Sequence, residues 1–122
     1  MGLSYSYDDE MLRIVGEGNY TARDLKDLLL AAISDPRTKP GIPTLMDVRK
    51  SDATRTTDEL VSVVDFLGSQ RDQRVPLRCA VVTSSDLRFG LSRMASVYVE
   101  RYGVELQVFR DIESAEYWLK SG

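Results

Sequence analysis

A chain of 122 residues fits one domain and leaves little room for a second. Its 43% hydrophobic content is ordinary for a globular protein, and a chain this long can bury roughly two-thirds of its unfolded surface without disulfide staples. The formal net charge of −3 comes from 19 acids and 16 bases mixed along the chain, which argues against the concentrated basic face of a nucleic-acid domain.

Histidine is absent, which removes the commonest general base and the commonest metal ligand. The single cysteine, Cys79, cannot form an intramolecular disulfide. It sits in the run LRCAVV and reads as a small core hydrophobe. No apolar run approaches about 18 residues, so no integral membrane segment is expected. The start, MGLSYSYDDEM, has neither a basic n-region nor an apolar h-region, and a cytoplasmic location is the expectation. Met1, Gly2 and Ser6 match the outline of a myristoylation motif, but the residues that follow read as a strand.

Residues 3–8, LSYSYD, and 11–17, MLRIVGE, both alternate apolar and polar positions, and the polar Asp8-Asp9-Glu10 between them predicts an antiparallel hairpin. Tyr5 and Tyr7 share one strand face and read as sheet packing. Thr21 predicts a helix N-cap, with Asp24 completing a near capping box. Leu25, Leu28, Leu29, Ala32 and Ile33 then form an apolar stripe at helical spacing. Asp35-Pro36 ends that helix, because the residue before proline avoids helical dihedrals. PRTKPGIP, residues 36–43, is a stiff loop. TLMDV at 44–48 predicts an interior parallel strand, and RKSDATR at 49–55 reads as loop. Thr56 and Glu59 form a capping box ahead of the stripe Leu60, Val63, Val64 and Leu67. LRCAVVT at 77–83 predicts the next strand. Ser85 or Asp86 caps a third helix carrying Leu87, Leu91, Met94, Ala95, Tyr98 and Tyr102, closed by Gly103. VELQVF at 104–109 predicts a last strand, and Asp111 caps a last helix with Ile112, Ala115, Trp118 and Leu119.

The order is therefore ββαβαβαβα. It predicts an α/β fold with a mixed, mostly parallel sheet, an N-terminal antiparallel hairpin and four helices, in one domain spanning 1–122.

In open α/β sheets, ligands bind beyond the carboxyl ends of the strands. That rule nominates Asp47, Arg49, Ser84, Ser85 and Arg110 as a sheet-edge site for a small anion, where helix N-termini and arginines favour phosphate or carboxylate. Asp86 and Asp111 would occupy the same helix starts as caps. Ser84 and Ser85 lack a histidine partner, and no pair of carboxylates is singled out by spacing, so the expectation is a protein that is not an enzyme. Gly16-Glu17-Gly18 is no dinucleotide fingerprint, there is no P-loop, and neither a cofactor nor a metal is expected. Ser51, Thr54, Thr56 and Thr57 precede the second helix. Phosphate there would be electrostatically favoured, although capping and solubility already account for these hydroxyls.

Three pieces of the chain carry a resemblance: TLMDVR, the hairpin followed by a threonine-capped helix, and FGLSRMASVYVERYGVELQVFRDIESAEYWL at 89–119. Together they resemble the SpoIIAA-like family of the STAS superfamily. The resemblance implies a compact α/β sandwich and a binding or regulatory role. The superfamily includes anti-sigma-factor antagonists regulated by phosphorylation, and it is similar to the lipid-binding lobe of Sec14-type proteins. The antagonists' phosphoserine region corresponds here to DVRKSDATRTTDEL, so the resemblance points to Ser51, Thr56 and Thr57 as candidate phosphosites. Phe89, Met94, Tyr98 and Tyr102 are the candidates for an apolar pocket or interface. The expected partner is a protein or a second copy of the chain. The alternative is a lipid or small anionic metabolite carried at the sheet edge.

Overall fold

The computed structural model describes residues 2–8, 10–39, 41–51, 59, 61–63, 65, 66, 78–84, 90, 93, 97, 100 and 105–121. The elements are β1 (Gly2–Asp8), β2 (Met11–Gly18), α1 (Ala22–Ser34), β3 (Thr44–Ser51), β4 (Arg78–Val82), β5 (Glu105–Phe109) and α2 (Ile112–Ser121). Glu59, Val61, Ser62, Val63, Asp65 and Phe66 are also helical, as are Gly90, Arg93 and Val97. The expected count of four helices, the cap at Thr56 and the cap at Ser85 or Asp86 rest on residues outside this set.

The five strands form one sheet in the order β1-β2-β3-β4-β5. β1 and β2 are antiparallel, and the remaining pairs are parallel. The alternation that predicted the hairpin is also what fixes its register: Tyr7 faces Leu12, Tyr5 faces Ile14 and Leu3 faces Gly16, so the apolar set lies on one face. Glu10 takes up the tight turn with φ at 59°. On the other side of β2, the Leu12 N–H donates to Pro43 O on the β3 side at 2.9 Å. Successive strand N–H groups alternate direction, so those of Met11 and Arg13 turn toward β1.

β3 is longer than the sequence pattern predicts. Arg49, Lys50 and Ser51, read as loop, continue the strand, with Lys50 opposite Glu17 and Ser51 opposite Gly18. Between Val15 and Glu17, β2 advances two positions while β3 advances three, from Asp47 to Lys50. The extra residue is a β-bulge, which breaks the alternation and explains why the polar run looked like loop.

The sheet is covered on both faces. On one, Leu12 and Ile14 pack with Leu25, Leu29 and Ala32 of α1 and with Val63, while Tyr5, Tyr7, Met46 and Phe66 close the margin. On the other, Met11, Leu45, Ala80 and Val82 pack with Ala115 and Leu119 of α2. Burial of a leucine such as Leu119 contributes about 1.5–3 kcal/mol. Thr21 caps α1 as expected: its hydroxyl accepts the Asp24 N–H at 3.0 Å, and the Asp24 carboxylate accepts the Thr21 N–H at 2.9 Å. Among the described residues, no helix is long and apolar enough to cross a membrane.

Candidate functional site

β3, β4 and β5 are parallel neighbours, so their C-terminal ends emerge side by side. On β3, Asp47 and Arg49 stand two residues apart in the bulged stretch. The guanidinium folds back on the carboxylate. Arg49 Nε donates to Asp47 Oδ1 at 3.0 Å, Nη2 donates to Oδ2 at 2.9 Å, and the Arg49 backbone N–H adds a bond to Oδ1 at 3.1 Å. Burial works to raise the Asp47 carboxyl, but the Arg49 side-chain and backbone donors outweigh it and hold the group below the usual carboxylate range. The same fork raises the Arg49 guanidinium.

At the end of β4, Thr83 is fully buried and its N–H donates to Phe109 O at 3.0 Å. Ser84 is exposed, and its hydroxyl donates to the Arg49 carbonyl at 3.4 Å. After β5 come the exposed Arg110 and Asp111. Asp111 caps the start of α2: Oδ1 accepts the Ser114 N–H at 2.8 Å, and Oδ2 accepts the Ser114 hydroxyl at 3.1 Å. These bonds, backbone first, lower the Asp111 carboxyl, and the nearby Arg49 charge adds to the effect. At the strand ends, the Arg49 fork and the Ser114 donors are thus already engaged by carboxylates of the same chain. The Cys79 thiol, pushed up to about 12 by burial, stays protonated at neutral pH and is a poor nucleophile. Among the described residues, no cluster of three histidine, cysteine, aspartate or glutamate side chains could hold a metal ion.

No family model matches the chain. No curated protein matches it either. Among solved structures, the crystal structure of an uncharacterized protein of the DUF3478 family from Shewanella loihica PV-4, described as having a SpoIIAA-like fold, superposes with a TM-score of 0.65. It shares 19% identity, and the match covers 97% of this chain and 92% of that one.

The fold is SpoIIAA-like.

Within this SpoIIAA-like sheet, the structure brings Asp47, Arg49 and Ser84 together at adjoining strand ends, with Arg110 after the next strand. Ser85 of the expected edge site lies outside the described residues, as do the candidate phosphosites Thr56 and Thr57 and the candidate pocket residues Phe89, Met94, Tyr98 and Tyr102. Ser51 is the last residue of β3, 4% exposed, with its hydroxyl donating to Gly18 O at 3.3 Å.

A second polar cluster, at the C-terminal end of α1, escaped the sequence reading. Asp35 and Arg37 repeat the fork of Asp47 and Arg49: Nε to Oδ1 at 3.1 Å, Nη2 to Oδ2 at 2.8 Å, and backbone N–H to Oδ1 at 2.9 Å. Tyr5 donates to Asp35 Oδ2 at 3.0 Å, and Tyr7 bonds the buried Thr38 hydroxyl, which donates in turn to Ala32 O at 2.6 Å. Arg37 stacks over the Tyr7 ring at 4.5 Å from its centroid. The visible signal was the repeated Asp-x-Arg spacing.

Proposed function

We propose that this chain is a non-enzymatic docking domain of STAS-like type, which works by presenting its surface to a protein partner or to a second copy of itself. The observation that supports this reading is the occupancy of the strand-end donors. The Arg49 fork holds Asp47, and the first turn of α2 holds Asp111. An anionic ligand at this edge would have to displace a carboxylate already bonded there, at a cost typical of charge-assisted hydrogen bonds. Topology favours the same reading. Ligand crevices in open α/β sheets form where the strand order reverses, and among the described residues the order runs straight from β1 to β5. The competing carrier reading, with a lipid or small anionic metabolite at the edge, needs both carboxylates to release their donors.

Native mass spectrometry of the purified full chain tests the choice. The expected spectrum shows the mass of the chain or a simple multiple of it, with no additional mass. A lipid or anion retained in stoichiometric amount would overturn the docking reading in favour of the carrier.

A further inference from the structure

We infer that the free edge of β1 is a two-fold interface, on which a second copy of this chain adds its own β1 in antiparallel register centred on Tyr5. The inference rests on the docking reading above and names its surface.

The first support is the direction of the backbone groups. Among the described residues, β1 lies at the end of the sheet and pairs on one side only. With the Met11 and Arg13 N–H groups turned toward β1, their partners Asp8 and Ser6 turn inward. The N–H and C=O groups of Leu3, Tyr5 and Tyr7 therefore point out from the edge. An antiparallel mate centred on Tyr5 places Leu3 opposite the partner's Tyr7 and Tyr5 opposite the partner's Tyr5. Every outward-pointing residue then meets another, and each such pair exchanges both N–H···O bonds. A register shifted by one residue would lose this match entirely. Tyr5 is also the midpoint of Gly2–Asp8, so the two-fold register uses the whole strand.

The second support is the side chains. On the helix-bearing face, the register lines up leucine with tyrosine and tyrosine with tyrosine. On the opposite face, Ser4 meets the partner's Ser6. No charged residue lies between Leu3 and Tyr7, so like charges do not face one another in the paired stretch. Free edges are usually guarded by lysine, proline, a bulge or shortness. β1 has no lysine and no proline, and it pairs with β2 residue for residue through all seven positions. The other edge, β5, is shorter and opens on the exposed Glu105. Above β1, the helical row that runs up α1 to Asp35, the partner of Tyr5, includes the half-buried Leu28 and the exposed Ala31. Those two side chains give the copy's helix an apolar surface of low profile. The arrangement closes on itself with two-fold symmetry and so makes a dimer, not a fibre.

Sedimentation velocity on the full chain tests the interface. Ser4 and Ser6 are exposed on the solvent side of β1, so both can be changed without touching the core. The wild type is expected to dimerise. Ser4→Glu combined with Ser6→Glu sets carboxylates opposite each other at two places and should weaken the dimer about tenfold, given the size of cross-strand pair energies. Ser4→Lys combined with Ser6→Glu sets opposite charges across the same two places and should tighten it. Circular dichroism should show both variants folded. A wild type that stays monomeric at the highest concentration it tolerates overturns the interface. So does a dimer indifferent to both pairs of substitutions, an outcome that leaves the docking reading standing. A retained small molecule in the native spectrum counts against that reading instead.

Discussion

Asp35 collects more partners than any helix-terminating residue needs. It accepts the Arg37 fork, the Arg37 backbone N–H and the Tyr5 hydroxyl, and the arginine side chain is the leading cause that holds its carboxyl well below the usual range. The bond to Asp35 also comes first among the causes that raise the Tyr5 phenol. The pH consequence has a definite sign. A carboxyl whose folded pKa is depressed contributes stability above its unfolded value of about 4, and loses it as pH falls through the folded value. A phenol whose pKa is raised contributes fully below about 10 and loses that contribution as pH climbs further. The cluster is therefore strongest between those limits. Urea midpoints followed from about pH 6 to about pH 2 should fall less steeply for Asp35→Asn than for the wild type, with Asp47 and Asp111 supplying the remaining slope. Parallel slopes would show that the Asp35 carboxylate carries none of the acid sensitivity. The helix stop at Asp35-Pro36 was legible in sequence because proline restricts the residue before it. The cluster was not, because it joins Tyr5 to a residue 30 positions away through a fork that only the folded backbone sets up.

At the scale of elements, the caps and stripes were the legible part. Thr21, the buried positions Leu25, Leu29, Ala32 and Ile33 of α1, and the Ala115 and Leu119 face of α2 all stand where helical periodicity puts them. β3 was misjudged because its bulge hides the alternation on which strand prediction depends. Gly16 sits on the neighbouring strand at this irregularity and has a task of its own. A Cβ there would lie 2.9 Å from the ring and hydroxyl of Tyr20, which is 8% exposed, so the ring would have to shift within packed surroundings. Gly16→Ala should cost about 1–3 kcal/mol, the usual range for overpacking. Chemical denaturation measures it directly, and in a Tyr20→Ala background the added cost of Gly16→Ala should shrink. A neutral Gly16→Ala would mean that the ring shifts freely, against its burial.

Across the whole molecule, fold class was legible and the surface that matters was less so. Alternating strand and helix signals give a mixed sheet regardless of side-chain detail, and the match to a SpoIIAA-like structure at 19% identity reflects that tolerance. The candidate edge site was found by rule, yet the rule could not show that Arg49 would be spent on Asp47, since a charge pair two residues apart on a strand looks in sequence like loop polarity. The straight strand order has a further consequence for how the chain assembles. Each strand joins the one made just before it, so the sheet can grow from its N-terminal hairpin as synthesis proceeds, without waiting for a distant segment. The exception is α2, which follows β5, covers Met11, Leu45, Ala80 and Val82, and ties back to β2 through the Glu116 bond to Arg13, 103 residues away in sequence. A nascent chain stopped after β5 would carry a nearly finished sheet whose Met11, Leu45, Ala80 and Val82 lack the helix that packs on them. α2 therefore acts as a seal, and a ribosome-bound chain ending at Phe109 should be far more susceptible to protease and to chaperone capture than one extended past Ser121 by the same tether.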